Sequence, residues 1–235
     1  RDVFKIGGNS EVSVTEKSSV GAGVSYEDIN YKRVGFVDSK VTTVPLNYYY
    51  KMSPKTDMSF GFEYRDTQLQ TNADSNDYFY SIGARGEFTP KLTGSVSIGY
   101  IERDFKAGKD EDSLGFRANL NYAVSEKTTV QAGLSNDYGV AGQGQSQRNL
   151  TANLGVQSQL ATDWTVGGSL MWRSIAYLGA GARTDDYAEF QLNATYVYNS
   201  MVNFTGSYTF RNYNSEISCA DIDNNVFAVA ANIRY

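Results

Sequence analysis

A chain of 235 residues with a net charge of -5, no histidine and a single cysteine, Cys219, has room for one large domain but little equipment for catalysis. Without imidazole the commonest general base and metal ligand is missing, a lone cysteine closes no internal disulfide, and an acidic pI near 4.9 argues against a nucleic-acid partner. No stretch approaches the roughly 18 uninterrupted apolar residues of a membrane-spanning helix.

What the chain has instead is alternation. Phe60, Phe62 and Tyr64 interleave with Gly61, Glu63 and Arg65, and the same greasy/polar rhythm recurs along the whole length. A strand sends successive side chains to opposite faces, so this pattern asks for lipid on one side and water on the other. The negative mean hydropathy of -0.42 does not contradict it, because an aqueous lumen and polar loops offset the lipid face. Eighteen tyrosines and twelve phenylalanines against three prolines suit strands with aromatic girdles.

In chain order, strands are predicted over 3–15, 20–31, 41–52, 58–70, 77–88, 93–105, 113–125, 129–139, 148–161, 164–178, 186–198, 202–213 and 224–235. Compact turns near Lys17, Lys55, Lys91, Lys127, Asp163 and Met201 fall 36 to 38 residues apart, one per hairpin. Longer polar connections lie near 28–40, 71–76, 106–112, 139–147, 179–185 and 214–223. Short turns on the periplasmic side and long loops outside are the asymmetry of outer-membrane barrels.

The expected fold is therefore all-β: a transmembrane antiparallel up-and-down β-barrel forming one domain over 1–235, with about 13 strands visible. Each short turn follows a descending strand, which places Arg1 outside and Tyr235 in the periplasm. Because single-chain bacterial barrels carry even strand numbers, the complete protein is expected to have 14 or more strands, with N-terminal strands or an upstream segment ahead of Arg1.

Parity assigns the faces. Val44, Leu46, Tyr48 and Tyr50 face lipid, as do Leu114, Phe116, Ala118, Leu120 and Tyr122, and Phe190, Leu192, Ala194 and Tyr196. The opposite parity sends Lys51, Arg65, Arg85, Arg103, Arg117, Arg173 and Arg211 into the lumen, together with Lys5, Arg234, Glu11, Glu27, Glu63, Glu87 and Glu189. Nine of these are positive and five negative, an inward cationic excess although the chain is net acidic. Guanidinium groups along a water-filled pore raise the local concentration of anions and contact solutes in transit. The same residues also suit a purely structural lining, Arg65 with Glu63 and Arg85 with Glu87. Thirteen or more strands favour an open channel over a barrel filled by side chains.

Other motifs carry little. The loop carboxylates Asp110, Glu111, Asp112, Asp221 and Asp223 fit no calcium-loop spacing. Gly142 and Gly144 alternate with glutamines but lack the lysine and helix of a phosphate loop, and Asn203-Phe204-Thr205 matches a glycosylation pattern inside a strand. Cys219 falls in an outer loop. Ser174 and Asp137 are isolated as candidate catalytic groups, so no metal, cofactor or catalytic residue is expected. The final alternation Phe227, Val229, Ala231, Ile233, Tyr235 ends on an aromatic and resembles the strand signal read by the outer-membrane assembly machinery.

The turn Phe88-Thr89-Pro90-Lys91-Leu92, the strand tops Gly99-Tyr100-Ile101-Glu102-Arg103 and Tyr208-Thr209-Phe210-Arg211-Asn212-Tyr213, and the closing strand after Asp223-Asn224-Asn225 together resemble the putative β-barrel porin-2 family of bacterial outer-membrane proteins. That resemblance implies a passive outer-membrane conduit associated with exopolysaccharide export, no catalysis, and a protein longer than this chain. The expected environment is the Gram-negative outer membrane, with lipid, lipopolysaccharide and the barrel assembly machinery as partners and polysaccharide or periplasmic export components as further ones. A scaffolding barrel or adhesin that pairs with other chains is the alternative, because an unpaired edge strand is a template for another.

Overall fold

A computed structural model describes residues 1–71, 73–106, 108–179, 181–217 and 220–233, so the expectations for Cys219, Arg234 and Tyr235 lie outside the described residues. Thirteen antiparallel strands run in chain order as a single meander: β1 (Asp2–Thr15), β2 (Ser18–Asn30), β3 (Ser39–Lys51), β4 (Thr56–Leu69), β5 (Ser75–Thr89), β6 (Leu92–Phe105), β7 (Glu111–Ser125), β8 (Thr128–Val140), β9 (Ser146–Gln159), β10 (Trp164–Tyr177), β11 (Arg183–Val197), β12 (Val202–Asn214) and β13 (Ile222–Ile233). The predicted thirteen are all present. They extend furthest beyond prediction at their loop ends, where charged residues continue the ladder, as in Arg103 opposite Glu111 and Arg183 opposite Tyr177.

The short connections are closed by the residue that enters them. Thr15 Oγ1 accepts from the Lys17 N–H (3.2 Å), Thr89 Oγ1 from the Leu92 N–H (3.0 Å), and Ser125 Oγ from the Lys127 N–H (3.3 Å). In a four-residue version, Asn199 Oδ1 accepts from the N–H groups of Met201 (2.8 Å) and Val202 (2.9 Å). Hydroxyl and amide side chains that bond the backbone two or three residues on make compact turns without help from the rest of the fold. Aspartates do the same for the longer loops: Asp38, Asp74, Asp110 and Asp221 accept from the N–H of Tyr31, Leu69, Phe105 and Ser215 at 2.7 to 3.0 Å. The acidity of the outer loops is thus partly turn chemistry.

Burial is inverted relative to a water-soluble domain. Leu114, Leu154, Leu170, Leu192 and Ile98 are exposed on the outer face, while Arg103, Asp77, Asp185, Ser75 and Thr67 are buried inside. A small core of Phe79, Ile101 and Tyr138 backs the buried charges. The outer belt is bounded toward the turns by Tyr50, Phe60, Tyr122 and Trp164, several in ring contact, as Tyr48 with Phe60 (6.3 Å) and Trp164 with Tyr196 (4.9 Å). Outward-facing charges in the strands, such as Asp28, Asp66, Glu102, Asp112 and Asp186, gather at the loop ends, above the lipid band.

The sheet curls inward most strongly along its first two thirds. Glu11 on β1 meets Arg85 on β5, and Arg65 on β4 meets Asp137 on β8, each pair four strands apart. At a strand spacing of ~4.8 Å these partners are about 19 Å apart along the wall, so only a concave face lets two side chains close the chord. Glycine permits the bend: Gly86 and Gly94 face each other across β5 and β6 with φ of +124° and +149°, and a Cβ on either would sit 2.1 Å from a neighbouring carbonyl oxygen. At the mouth, the β2–β3 loop reaches over to the β8–β9 loop, where the Val37 N–H donates to the Gly142 carbonyl (2.9 Å) and Phe36 stacks on Tyr31 (5.1 Å). The Gly142–Gly144 segment is the seat of this cross-mouth contact.

Candidate functional site

The inward wall is the candidate site, and strand register defines it. Every inward charge expected on a described residue shares one face, and the register adds Asp57, Asp77, Glu111, Asp137, Asp185 and Arg183 to it. With these included, nine cations face ten carboxylates among the described strand residues. The expected cationic excess is therefore corrected to near balance. The aspartates lay on the same odd-numbered parity as the arginines beside them, which is the signal that could have found them; Asp137 in particular was read only as an isolated catalytic candidate.

The charges are also engaged. Arg103, 1 % exposed, grips Asp77 with two parallel bonds, Nε to Oδ1 (2.6 Å) and Nη2 to Oδ2 (2.7 Å), while Nη1 donates to the Gly139 carbonyl (2.8 Å). Arg117 makes the same two-pronged contact with Glu63, both bonds 2.8 Å, and also reaches Asp137 (2.8 Å). Arg65 donates to Asp137 (2.7 Å) and to the Tyr138 carbonyl (2.7 Å), with Glu63 at 3.4 Å. Two guanidinium groups and two carboxylates from β4, β7 and β8 so alternate in one ring. The fork of an arginine matches a carboxylate in two bonds, which fixes orientation as well as adding energy.

Nearer the turns, Arg85 holds Glu11 through two bonds (2.7 and 2.9 Å) and Asp57 through a third (3.1 Å), and lies 3.3 Å from the Tyr49 ring centroid. On the far side of the sheet Arg211 pairs with Glu189 (2.7 Å), a half-exposed contact shared with the Tyr187 hydroxyl. Of the seven cations expected to contact solute, Arg65, Arg85, Arg103, Arg117 and Arg211 thus have carboxylate partners. Lys51 and Arg173 have none among the described residues, and the buried Nε of Arg173 makes no hydrogen bond. Ser174, by parity with Trp172, faces outward, away from this wall.

The remaining inward face is neutral and polar. Asn153, Gln157, Ser169, Gln191, Asn193 and Ser207 line β9 to β12, with Gly155 and Gly167 between them. The terminal-strand residues Phe227, Val229, Ala231 and Ile233 lie together on the outer face, Phe227 in tilted ring contact with Tyr208 at 4.6 Å. β1 and β13, at the two ends of the sheet, are exposed along their whole length and each pairs with one neighbour only among the described residues.

The chain's shape resembles that of several solved outer-membrane barrels. The FrpB iron transporter of Neisseria meningitidis (F3-3 variant) superposes with a TM-score of 0.66 at 11 % identity, covering 99 % of this chain and 48 % of that one. The copper transporter OprC gives 0.64 at 10 % identity over 99 % and 52 %, and the outer membrane channel DcaP of Acinetobacter baumannii 0.59 at 11 % over 97 % and 84 %. At such identities the likeness concerns the fold alone, and the chain spans about half the length of the FrpB and OprC chains. No curated protein sequence matches it significantly. The family model for Putative beta-barrel porin 2 matches residues 38–235 of this wall, and the chain belongs to that family.

Proposed function

We propose that the protein is a passive outer-membrane channel for polar solutes and, in its sharper form, a conduit for an exported polysaccharide. The observation that carries the channel is the inversion of burial, an exposed apolar belt outside and a concave polar wall inside, which has a use only between lipid and water. Family membership supports a porin-like, non-enzymatic role. The polysaccharide cargo is supported by what the family resemblance implies, and with it come lipopolysaccharide, the assembly machinery and periplasmic export components as partners. The anion preference expected from seven inward cations narrows to Lys51 and Arg173, because the other five are neutralised by carboxylates.

Reversal potentials of the full-length protein in planar bilayers under a salt gradient test this reading. The expected result is open-channel current with weak anion selectivity that Lys51→Gln with Arg173→Gln abolishes. A folded, heat-modifiable barrel that passes no current would sink the channel. Strong anion selectivity that survives the double substitution would sink the assignment to these two cations.

One observation favours a second component. A strand edge bare of partners is not tolerated in lipid, since its N–H and C=O groups find no water there. Among the described residues, β1 and β13 each present such an edge. We therefore infer that both edges are covered in the membrane by further strands of the same protein, which close the barrel. A purified complex of fixed stoichiometry with a second protein would favour the scaffolding alternative instead.

A further inference from the structure

Between the two arginine clusters, the inward face of β3 to β7 forms a half-open cavity of about 230 Å³. Glu63 and Arg117 lie toward its loop side and Arg85 toward its turn side. The volume is just below the ~300–1,000 Å³ range of small-molecule pockets, so it suits a single compact unit of a ligand.

Its charged groups are already committed. Arg117 is held two-pronged by Glu63, and Arg85 by Glu11. Two of the aromatic rings of the lining each carry a guanidinium on one face, Arg85 over Tyr49 (3.3 Å) and Arg117 over Phe79 (4.7 Å). An incoming anion would have to displace a carboxylate from a guanidinium it grips by two bonds, and would gain little by the exchange.

Apart from Ser97, which donates to the Arg117 carbonyl, the neutral polar side chains are uncommitted among the described residues. The side chains of Asn47, Ser59, Ser81, Ser95 and Asn119 line the cavity and make no hydrogen bond to the described residues. Their convergence depends on glycine: a Cβ at Gly61 would stand 2.6 Å from Ser81 Oγ and 2.9 Å from Asn47 Oδ1, so only a residue without one leaves both polar groups aimed into the same space. Amides and hydroxyls each both donate and accept, which matches the hydroxyl groups of a polyol. A site built from such groups discriminates strongly in favour of ligands that satisfy them.

We propose that this cavity is a subsite for one uncharged polyhydroxy unit, a neutral sugar ring either free or as part of a passing glycan. The proposal rests on the channel reading and narrows its cargo to neutral carbohydrate at this point of the wall. The test is current-blocking of the full-length protein in planar bilayers by glucose, maltohexaose and a galacturonate hexamer, beside saturation-transfer NMR of the same sugars with the detergent-solubilised barrel.

Maltohexaose is expected to block at concentrations where the galacturonate hexamer does not, with glucose binding weakly in the NMR arm. Ser81→Ala with Asn119→Ala should raise the half-blocking concentration about tenfold, the ~1.4 kcal/mol that two neutral hydrogen bonds together contribute. Asn47→Ala, on a different strand, supplies an independent check. Stronger binding of glucose than of maltohexaose would assign the site to free sugar, within the proposal. Equal or stronger block by the galacturonate, or variants that bind all three sugars like the parent, would overturn it. Sugar binding by a barrel that never conducts would overturn the channel and leave the subsite standing.

Discussion

The inward faces of β4–β8 and of β10–β12 are built from the same alternation yet use charge differently. In the first, Arg65, Arg103, Arg117, Glu63, Asp77 and Asp137 interlock, and Arg103 and Asp77 are 1 % exposed. In the second, Arg211 pairs with Glu189 half open to the lumen, amides occupy the next rungs, Arg173 makes no ion pair among the described residues, and only at the loop end does Arg183 meet the buried Asp185. The contrast teaches that a row of arginines in a barrel wall need not be a selectivity device. Where the sheet curls tightly enough for strands four apart to face each other, opposite charges close the chord and hold the curl; where it does not, pairing stays local, within β11 for Arg183 and Asp185 and between adjacent strands for Arg211 and Glu189.

If that is right, removing one charge should have very unequal effects. Asp77→Ala leaves the Arg103 guanidinium buried with only neutral acceptors and should destabilise the barrel by about 3–5 kcal/mol, read as a lowered urea midpoint in lipid vesicles. Parent-like stability of this variant would mean that the buried pair does not hold the arc. Arg211→Gln removes a pair whose arginine side chain is 47 % exposed and should leave the midpoint close to the parent's in the same assay. A loss as large as that of Asp77→Ala would erase the distinction between the two arcs.

The smallest expected effect is at the rim of the first arc, outside the membrane. Asp74 accepts from Lys106 Nζ and from the Leu69 N–H, both at 2.8 Å, and the lysine hydrogen bond first, with the backbone bond after it, holds the Asp74 carboxyl below its usual range; the same bond raises Lys106. A carboxyl depressed in the folded state contributes stability above its unfolded value of about 3.8, and loses it as pH falls through the lower folded value. For the raised lysine the contribution is complete below 10.5 and is lost as pH rises through the higher folded value. Protection of the Leu69 amide, its exchange rate relative to the intrinsic rate at each pH, should therefore stay constant across the neutral range and fall only toward the two extremes, a pH response that Asp74→Asn removes. Protection in the parent that changes near neutrality would point to a different pin.

How much of this was legible beforehand follows from the range of each interaction. Strand positions and faces could be read because alternation has a period of two and the turns are closed locally, as Thr89 and Asn199 close theirs. The outer belt from Val44 to Tyr50 and the inward set from Glu63 to Arg211 fell on the expected sides for that reason. Pairing was not legible: Arg65 and Asp137 are 72 residues apart, and nothing local to either marks the other. The balance of the wall was missed with it, because Asp77 and Asp137 gain meaning only as partners.

The sequence by itself therefore determined the strands, their order, their two faces and the end of the sheet at which each turn lies, since those are set by neighbours along the chain. Only the tertiary structure decided which charges neutralise each other, that the β2–β3 loop reaches across to Gly142, and that Asn47, Ser81 and Asn119 share one cavity. These depend on curvature, a property of the whole sheet that accumulates strand by strand from twist and from glycines such as Gly86 and Gly94, where a side chain would collide with the adjoining backbone.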